Sequence, residues 1–244
     1  MKLVYKFADK YIITMEFENQ LVKGILIKRY KRFLADVELE SGEQVTAHCT
    51  NSGSMKTCVE EGADVYLTPV NDPKRKTKFT WEMILINGKW VGINTMVPNL
   101  LAYEAIVNGE IEKLKGYTSV RREVKFGDSR FDIYAENESE KCFVEVKNVT
   151  MKVGNSALFP DAVSSRGRKH LETLIEVKKS GIRAVMLYII QRVDVEYFGM
   201  AEDIDPEYAS SLRKAMENGV EVIAVQAEVS PEKIEIVREM KTKL

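Results

Sequence analysis

Three cysteines, no long apolar run and almost no net charge leave this 244-residue chain without the usual means of stapling a fold, crossing a membrane or attracting a polyanion. An odd number of cysteines cannot all pair within one chain, so reduced thiols and a cytoplasmic setting are expected. His48, Cys49 and Cys58 form no CxxC pair and lack the spacing of a structural zinc site. The longest apolar stretch, Ala184 to Ile190, is far short of a membrane span, and Asp9 and Lys10 interrupt any apolar leader at the start. Neither membrane insertion nor secretion is indicated. With 36 Lys and Arg against 37 Asp and Glu the chain has a formal charge of -1, so any nucleic-acid partner must be held by local patches rather than by a bulk field. Internal repeats and low-complexity segments are missing too.

What the chain does contain is a long series of short alternating runs. Tyr11 to Phe17, Val22 to Lys28, Phe33 to Leu39, Gln44 to His48, Ala63 to Val70 and Lys78 to Ile86 read as strands, punctuated by Ser41-Gly42 and Asn87-Gly88. So many short strands in so little chain predict an OB-like β-barrel over residues 1–92. The texture changes near Gly92 to Pro98, and residues 93–244 form a second, mixed α/β domain. Its elements are a helix over 99–115 with Leu100, Tyr103, Val107, Ile111 and Leu114 as the buried stripe, a strand Val120 to Phe126, a central hairpin, a helix from about Asp161 to Lys179, and an apolar strand Arg183 to Gln191. A further helix begins at Asp205-Pro206 and ends at Asn218-Gly219, followed by a strand Val220 to Val229; the tail from Ser230 reads equally as helix or strand.

The hairpin carries the chemistry. Phe131 and Ile133 alternate with Arg130, Asp132 and Tyr134; after a turn, Cys142, Val144 and Val146 alternate with Phe143, Glu145 and Lys147. Directly opposed residues of a hairpin lie about 4.5–5.5 Å apart, which brings Asp132 and Glu145 to one shared cation, with the Lys147 ammonium beside them. Two carboxylates suit Mg²⁺ or Mn²⁺, and a lysine suits a phosphorane. A cross-strand ion pair has the same composition, so the residues alone leave both readings open.

Two cationic groups accompany it. Lys28, Arg29, Tyr30, Lys31, Arg32 and Phe33 interleave phosphate-seeking cations with stacking rings, and Lys74, Arg75, Lys76 and Lys78 follow Pro73. Arg166, Lys169, His170 and Thr173 share one helical face that could meet DNA phosphates, Asp161 is placed to cap that helix, and Thr50 to Met55 is either a turn or a phosphate loop.

The order αβββαβ with Asp132, Glu145 and Lys147 in place resembles the PD-(D/E)xK nuclease core, although Phe131 stands where that pattern usually has Pro. More of the chain is covered by a second resemblance. RYKRFLADVEL, TNSGSM, RREVKFGDSRFDI, VEVKNVT, ALFPDAVSSRGRKHL and QRVD, in that order, are similar to the sugar fermentation stimulation protein A family. That resemblance implies an α+β two-domain protein, an OB-like barrel followed by a PD-(D/E)xK nuclease-like domain. It also implies sequence-non-specific DNA binding and a regulatory link to maltose metabolism. Carried over residue by residue, Asp132 and Glu145 would be metal ligands, Lys147 catalytic, and Glu104, Glu123 and Gln191 accessory. Whether such a protein cleaves DNA or only binds it, and whether it forms oligomers, stays open at this point.

Overall fold

The computed structural model describes residues 2–6, 12–17 and 19–244, so the Asp9-Lys10 interruption and Tyr11 lie outside the described residues. The chain begins with β1 (Lys2–Lys6) and β2 (Ile12–Glu16) and continues into β3 (Val22–Tyr30), β4 (Leu34–Leu39), β5 (Gln44–His48), β6 (Asp64–Pro69), β7 (Phe79–Ile86) and β8 (Lys89–Gly92). Strands β3 to β7 pair in the order β5-β4-β3-β6-β7, and parallel pairing of β5 with β7 at His48 and Thr80 closes the OB barrel. Alternation explains the closure: Leu26, Val37, Ala47, Val65, Leu67 and Ile84 fill one interior, in which Trp81 is fully buried.

One strand expected in that barrel is elsewhere. The run Tyr11 to Phe17 supplies β2, which pairs antiparallel with β17 in the sheet of the second unit. Met15 is 1 % exposed and shares a core with Ile234, so β2 is held by that apolar layer.

After β8 come α1 (Val97–Val107), a 3-10 turn (Glu112–Leu114), β9 (Ser119–Phe126), β10 (Ser129–Glu136), β11 (Lys141–Val149), β12 (Met151–Val153), β13 (Ser156–Phe159), α2 (Ser165–Lys179), β14 (Arg183–Ile190), β15 (Tyr197–Met200), α3 (Pro206–Glu217), β16 (Glu221–Val229), β17 (Lys233–Glu239) and β18 (Lys241–Lys243). The αβββαβ succession is therefore present, with the small β12-β13 hairpin added before α2. Eight strands form the main sheet in the order β1-β2-β17-β16-β14-β11-β10-β9, with β11, β14 and β16 parallel. Strand β14, RAVMLYII, is apolar on both faces because α1 covers one and α2 with α3 the other.

Helix α1 ends well before residue 115. Asn108 caps it, the Glu110 N–H donates back to the Ala105 carbonyl, and Gly109 at φ 68° makes the left-handed turn that a side chain would resist. Its buried positions are accordingly Val97, Pro98, Leu101, Ala102, Ala105 and Ile106, whereas Val107 is 46 % exposed and Ile111 and Leu114 pack from the following turn. Helix α2 starts at Ser165: Ser164 Oγ, not Asp161, accepts the Gly167 N–H at 3.1 Å. Asp205 caps α3 as its Asp-Pro sequence implies.

Candidate active site and interdomain cleft

The hairpin β10-β11 pairs Ile133 with Val144, which sets Asp132 opposite Glu145. The strict alternation expected along β10 fails at this point. Phe131 packs with Phe143 and α2, while Ile133 packs on the α1 side. Two residues apart should share a face, so the strand changes face at Asp132, where its neighbour Glu123 in β9 sits at φ 57°. Strain of this kind in a strand is characteristic of a site rather than of a scaffold.

Asp132 is anchored twice. Its Oδ2 accepts the Val146 N–H at 2.7 Å and its Oδ1 accepts Asn99 Nδ2 at 2.6 Å, from the first turn of α1. Burial, followed by the nearby Glu145 charge, pushes its carboxyl up to about 6, the Val146 N–H and Lys147 opposing. Glu145 is 2 % exposed. Burial would raise its carboxyl, but the hydrogen bond from His170 and the Lys147 charge outweigh this and hold it below the ordinary range. Lys147 Nζ donates to Glu145 Oε1 at 2.5 Å, and His170 Nδ1 donates to the same oxygen. The other oxygen, Oε2, is buried and has no partner among the described residues. An uncompensated buried carboxylate oxygen costs free energy unless a cation completes it.

That electrostatic state has a measurable consequence. Asp132 has a folded-state pKa above its unfolded value of about 3.9, so ionising it is penalised in the fold; the cost develops as pH rises from about 4 to about 6 and is complete above that. Asp132→Asn removes a cost on the order of 2 kcal/mol, allowing for its partial exposure. In metal-free thermal melts the variant is expected to be the more stable protein at pH 7.5, with the advantage shrinking towards pH 4.5. A pH-independent difference would show that Asp132 is not so perturbed.

The barrel reaches this site across a cavity of about 570 Å³ whose walls include Arg32 from the β3-β4 turn, Thr50 to Gly53, Lys147 and Asn148 of β11, and the loop Pro160 to Ser164 leading to Arg166 of α2. The loop Thr50 to Met55 is therefore a wall of the cleft. Arg29 organises it, donating through Nη2 to the carbonyls of Asn51 at 2.9 Å, Gly53 at 3.0 Å and Arg32 at 2.9 Å. Asp161 locks it from the other domain by accepting the Met55 N–H at 3.2 Å, and a Cβ at Gly53 would collide with that carboxylate. The role foreseen for Asp161 as a cap is thus replaced by a domain link.

The remaining expected site residues divide. Arg32, Arg166 and Lys169 are exposed cations, Arg32 and Arg166 on the cavity and Lys169 beside them on α2. Lys31 is exposed at φ 50° in the turn, outside the cavity lining. Arg29 Nη2 is spent on carbonyls, the Tyr30 hydroxyl donates to Asp36 at 3.0 Å, and Lys28 stays exposed with its Nζ 3.8 Å from Asp36. His170 does not lie with Lys169 on the surface; 7 % exposed, it turns inward to Glu145 and is approached by Arg166 Nε at 3.5 Å. Burial raises the Glu104 carboxyl, and the Arg122 charge of β9 opposes this. Gln191 is fully buried and donates to the carbonyls of Gly92 and Asn94 and to Asn148 Oδ1, tying β8 to β14. Asn99 stands at the start of the helix expected over 99–115, and nothing in the sequence signals its grip on Asp132.

Two family models match the chain. One, described as the sugar fermentation stimulation protein N-terminal OB domain, covers residues 27–93, and the other, the sugar fermentation stimulation protein RE domain, covers 96–233. A sugar fermentation stimulation protein homolog of Geotalea uraniireducens is 49 % identical over 231 residues, 94 % of this chain and 100 % of that one. The chain belongs to the sugar fermentation stimulation protein family. A more distant homolog, from Synechococcus sp., is 46 % identical over 90 % of the chain and 92 % of its own length. Among solved structures, SfsA of Pyrococcus furiosus, in complex with Ca²⁺, superposes with a TM-score of 0.86 at 28 % identity, covering 94 % of this chain and 98 % of that one.

In this member of the sugar fermentation stimulation family no three His, Cys, Asp or Glu among the described residues cluster as a protein-only metal cage. Mg²⁺ does not require one, since one or two carboxylates plus water and phosphate oxygens complete its shell. Glu145 with its unpartnered Oε2 and Asp132 with its raised pKa fit such an ion.

Proposed function

We propose that this protein is a Mg²⁺- or Mn²⁺-dependent nuclease of PD-(D/E)xK type that hydrolyses DNA phosphodiester bonds without sequence preference. The observation that carries the reading is the buried Glu145 Oε2 without a partner among the described residues, on a carboxylate whose other oxygen is held by Lys147, a residue that lines the cleft together with Arg32 and Arg166. The relative solved with Ca²⁺, another hard divalent cation, supports it. Asp132 and Glu145 hold the ion; Asn99 and the Val146 N–H fix one carboxylate, and His170 fixes the other. A bound divalent ion supplies a water of lowered pKa and neutralises phosphate charge. Lys147 presents its ammonium to the non-bridging oxygens as charge builds on them, and Arg32 and Arg166 position the flanking backbone.

The relatives' names speak only of sugar fermentation stimulation; a second reading is a DNA-binding regulator in which Lys147 and Glu145 remain a closed ion pair at 2.5 Å. Purified protein with end-labelled DNA separates the two. Cleavage that appears with Mg²⁺ or Mn²⁺ and vanishes with chelator is expected. Binding with no cleavage under any divalent ion would transfer the case to the regulator.

A further inference from the structure

The cluster Lys74 to Lys78 has no part in the catalytic proposal, yet it borders a second cavity. That cavity, about 470 Å³, is walled by Thr50, Arg75, Lys76 and Glu82 of the barrel together with Asn94 and Met96, the Glu82 carboxylate being held by Thr68 and Asn94. Thr50 also walls the catalytic cleft, so the two hollows are neighbours across a single residue. Thr50 is a fixed threshold: its Oγ1 accepts the Thr95 N–H at 2.9 Å and its carbonyl accepts Thr95 Oγ1 at 3.2 Å.

Two features of this double hollow bear on what passes through it. First, cations outnumber carboxylates on each wall, Arg32, Lys147 and Arg166 against Asp161 on one and Lys76 and Arg75, the latter steadied by Thr77 and Thr80, against Glu82 on the other, and both hollows fall within the small-ligand range of about 300–1,000 Å³. Arg32 and Arg166 serve one, Arg75 and Lys76 the other. A duplex, whose major groove alone is about 12 Å wide, does not enter spaces of that scale, whereas an unpaired nucleotide does. Second, each rim carries a large apolar side chain left in solvent: Val163 on the catalytic cleft and Met96 on the second cavity, both 69 % exposed. Paired bases hide their apolar faces from such residues, and unpaired bases offer them.

We infer that the substrate is single-stranded DNA, laid along a track from Arg75 and Lys76, over Thr50, into the cleft at Lys147, with phosphates on the cations and unstacked bases against Met96 and Val163. The inference rests on the nucleic-acid reading above and adds the strand form and the path. It also places the barrel's contact surface on Arg75 and Lys76 rather than on Arg29 and Tyr30, whose Nη2 and hydroxyl groups are already engaged within the barrel.

The test is binding in chelator, where cleavage plays no part. Fluorescence anisotropy with labelled oligo-dT and with a blunt duplex of equal length, across a salt series, is the measurement. Expected are a preference for oligo-dT of at least about tenfold and a fall of about 1.4 in its salt slope when Arg75 and Lys76 are both replaced by Gln, at about 0.7 per single-strand contact. Met96→Ser with Val163→Ser should weaken oligo-dT about tenfold and leave duplex binding unchanged; both side chains are exposed, so the fold is untouched. Equal affinity for the two forms, or an unchanged salt slope, or a serine variant that weakens neither form or both alike, would overturn the track. A protein that cleaves yet prefers duplex would defeat this inference and leave the nuclease proposal standing; one that shows the single-strand pattern and never cleaves would do the reverse.

Discussion

Glu145→Gln and Asp132→Asn are each expected to lower metal-dependent cleavage at least about 1,000-fold, some 4 kcal/mol of transition-state stabilisation, while DNA binding in chelator holds or tightens. The shapes hardly change, so what is lost is charge on the metal and what is relieved is repulsion of phosphate. Lys147→Ala is expected to differ in kind. Its ammonium contributes as charge develops, so turnover should fall about 100-fold with divalent-ion affinity little altered. Because Lys147 also donates to Glu145 Oε1, its removal leaves His170 as the partner holding that carboxylate. Calorimetry with Mg²⁺ or Mn²⁺, with DNA present, combined with single-turnover cleavage, reads the two patterns apart. If wild type took up neither ion, Asp132, Glu145 and Lys147 would be a structural ion-pair cluster.

The second large effect is on the fold. Arg192 is 1 % exposed, pairs through Nε and Nη2 with Asp194 at 2.7 and 2.9 Å, and donates Nη1 to the Thr150 carbonyl at 2.7 Å. Asp194 also holds Lys152, whose backbone N–H donates to Thr57 Oγ1 in the barrel at 3.1 Å. Replacing this buried arginine by alanine leaves Asp194 with Lys152 alone and the Thr150 carbonyl without its charged donor, at a typical cost of about 1.5–3 kcal/mol. Arg192→Ala should therefore lower the denaturant midpoint sharply, with the interface between barrel and sheet the first part to lose amide-exchange protection. Although burial opposes it, the bonds from Arg192 and Lys152 hold the Asp194 carboxyl down at about 2. The stability it contributes is present above its unfolded value near 4 and fades as pH falls towards 2, so the gap between wild type and Arg192→Ala should narrow in strong acid. A loss below about 1 kcal/mol would mean the QRVD segment does not clasp the domains.

The sequence was most legible where a local rule decided the outcome. Alternation located the barrel strands and the hairpin, and the spacing of Asp132, Glu145 and Lys147 with turn geometry sufficed to bring them together. It was least legible where a residue's partner lies far along the chain. RYKR reads as a uniform cationic patch, yet Arg29 is consumed by carbonyls of 51 and 53 and Arg32 is not. RGRKH reads as one basic face, yet His170 is drawn inward by a glutamate 25 residues earlier. The change of face at Asp132 breaks the very periodicity used to find it, because a strained residue on the adjacent strand is felt only after pairing.

The placement of β2 beside β17 makes the order of synthesis matter. The sheet that bears the β10-β11 hairpin is opened by strands early in the chain and completed by some of the latest, Met15 meeting Ile234 across more than two hundred residues. The barrel can close on its own strands while the chain is still being made. The β1-β2 hairpin must meanwhile wait with an edge unpaired until β17 leaves the ribosome, a state in which strands pair readily with the wrong neighbour. The long loop that must close to bring Met15 to Ile234 gives this sheet contacts far less local than those of the barrel, whose strands pair within residues 22–86, and so the slower of the two assemblies is expected to be the sheet.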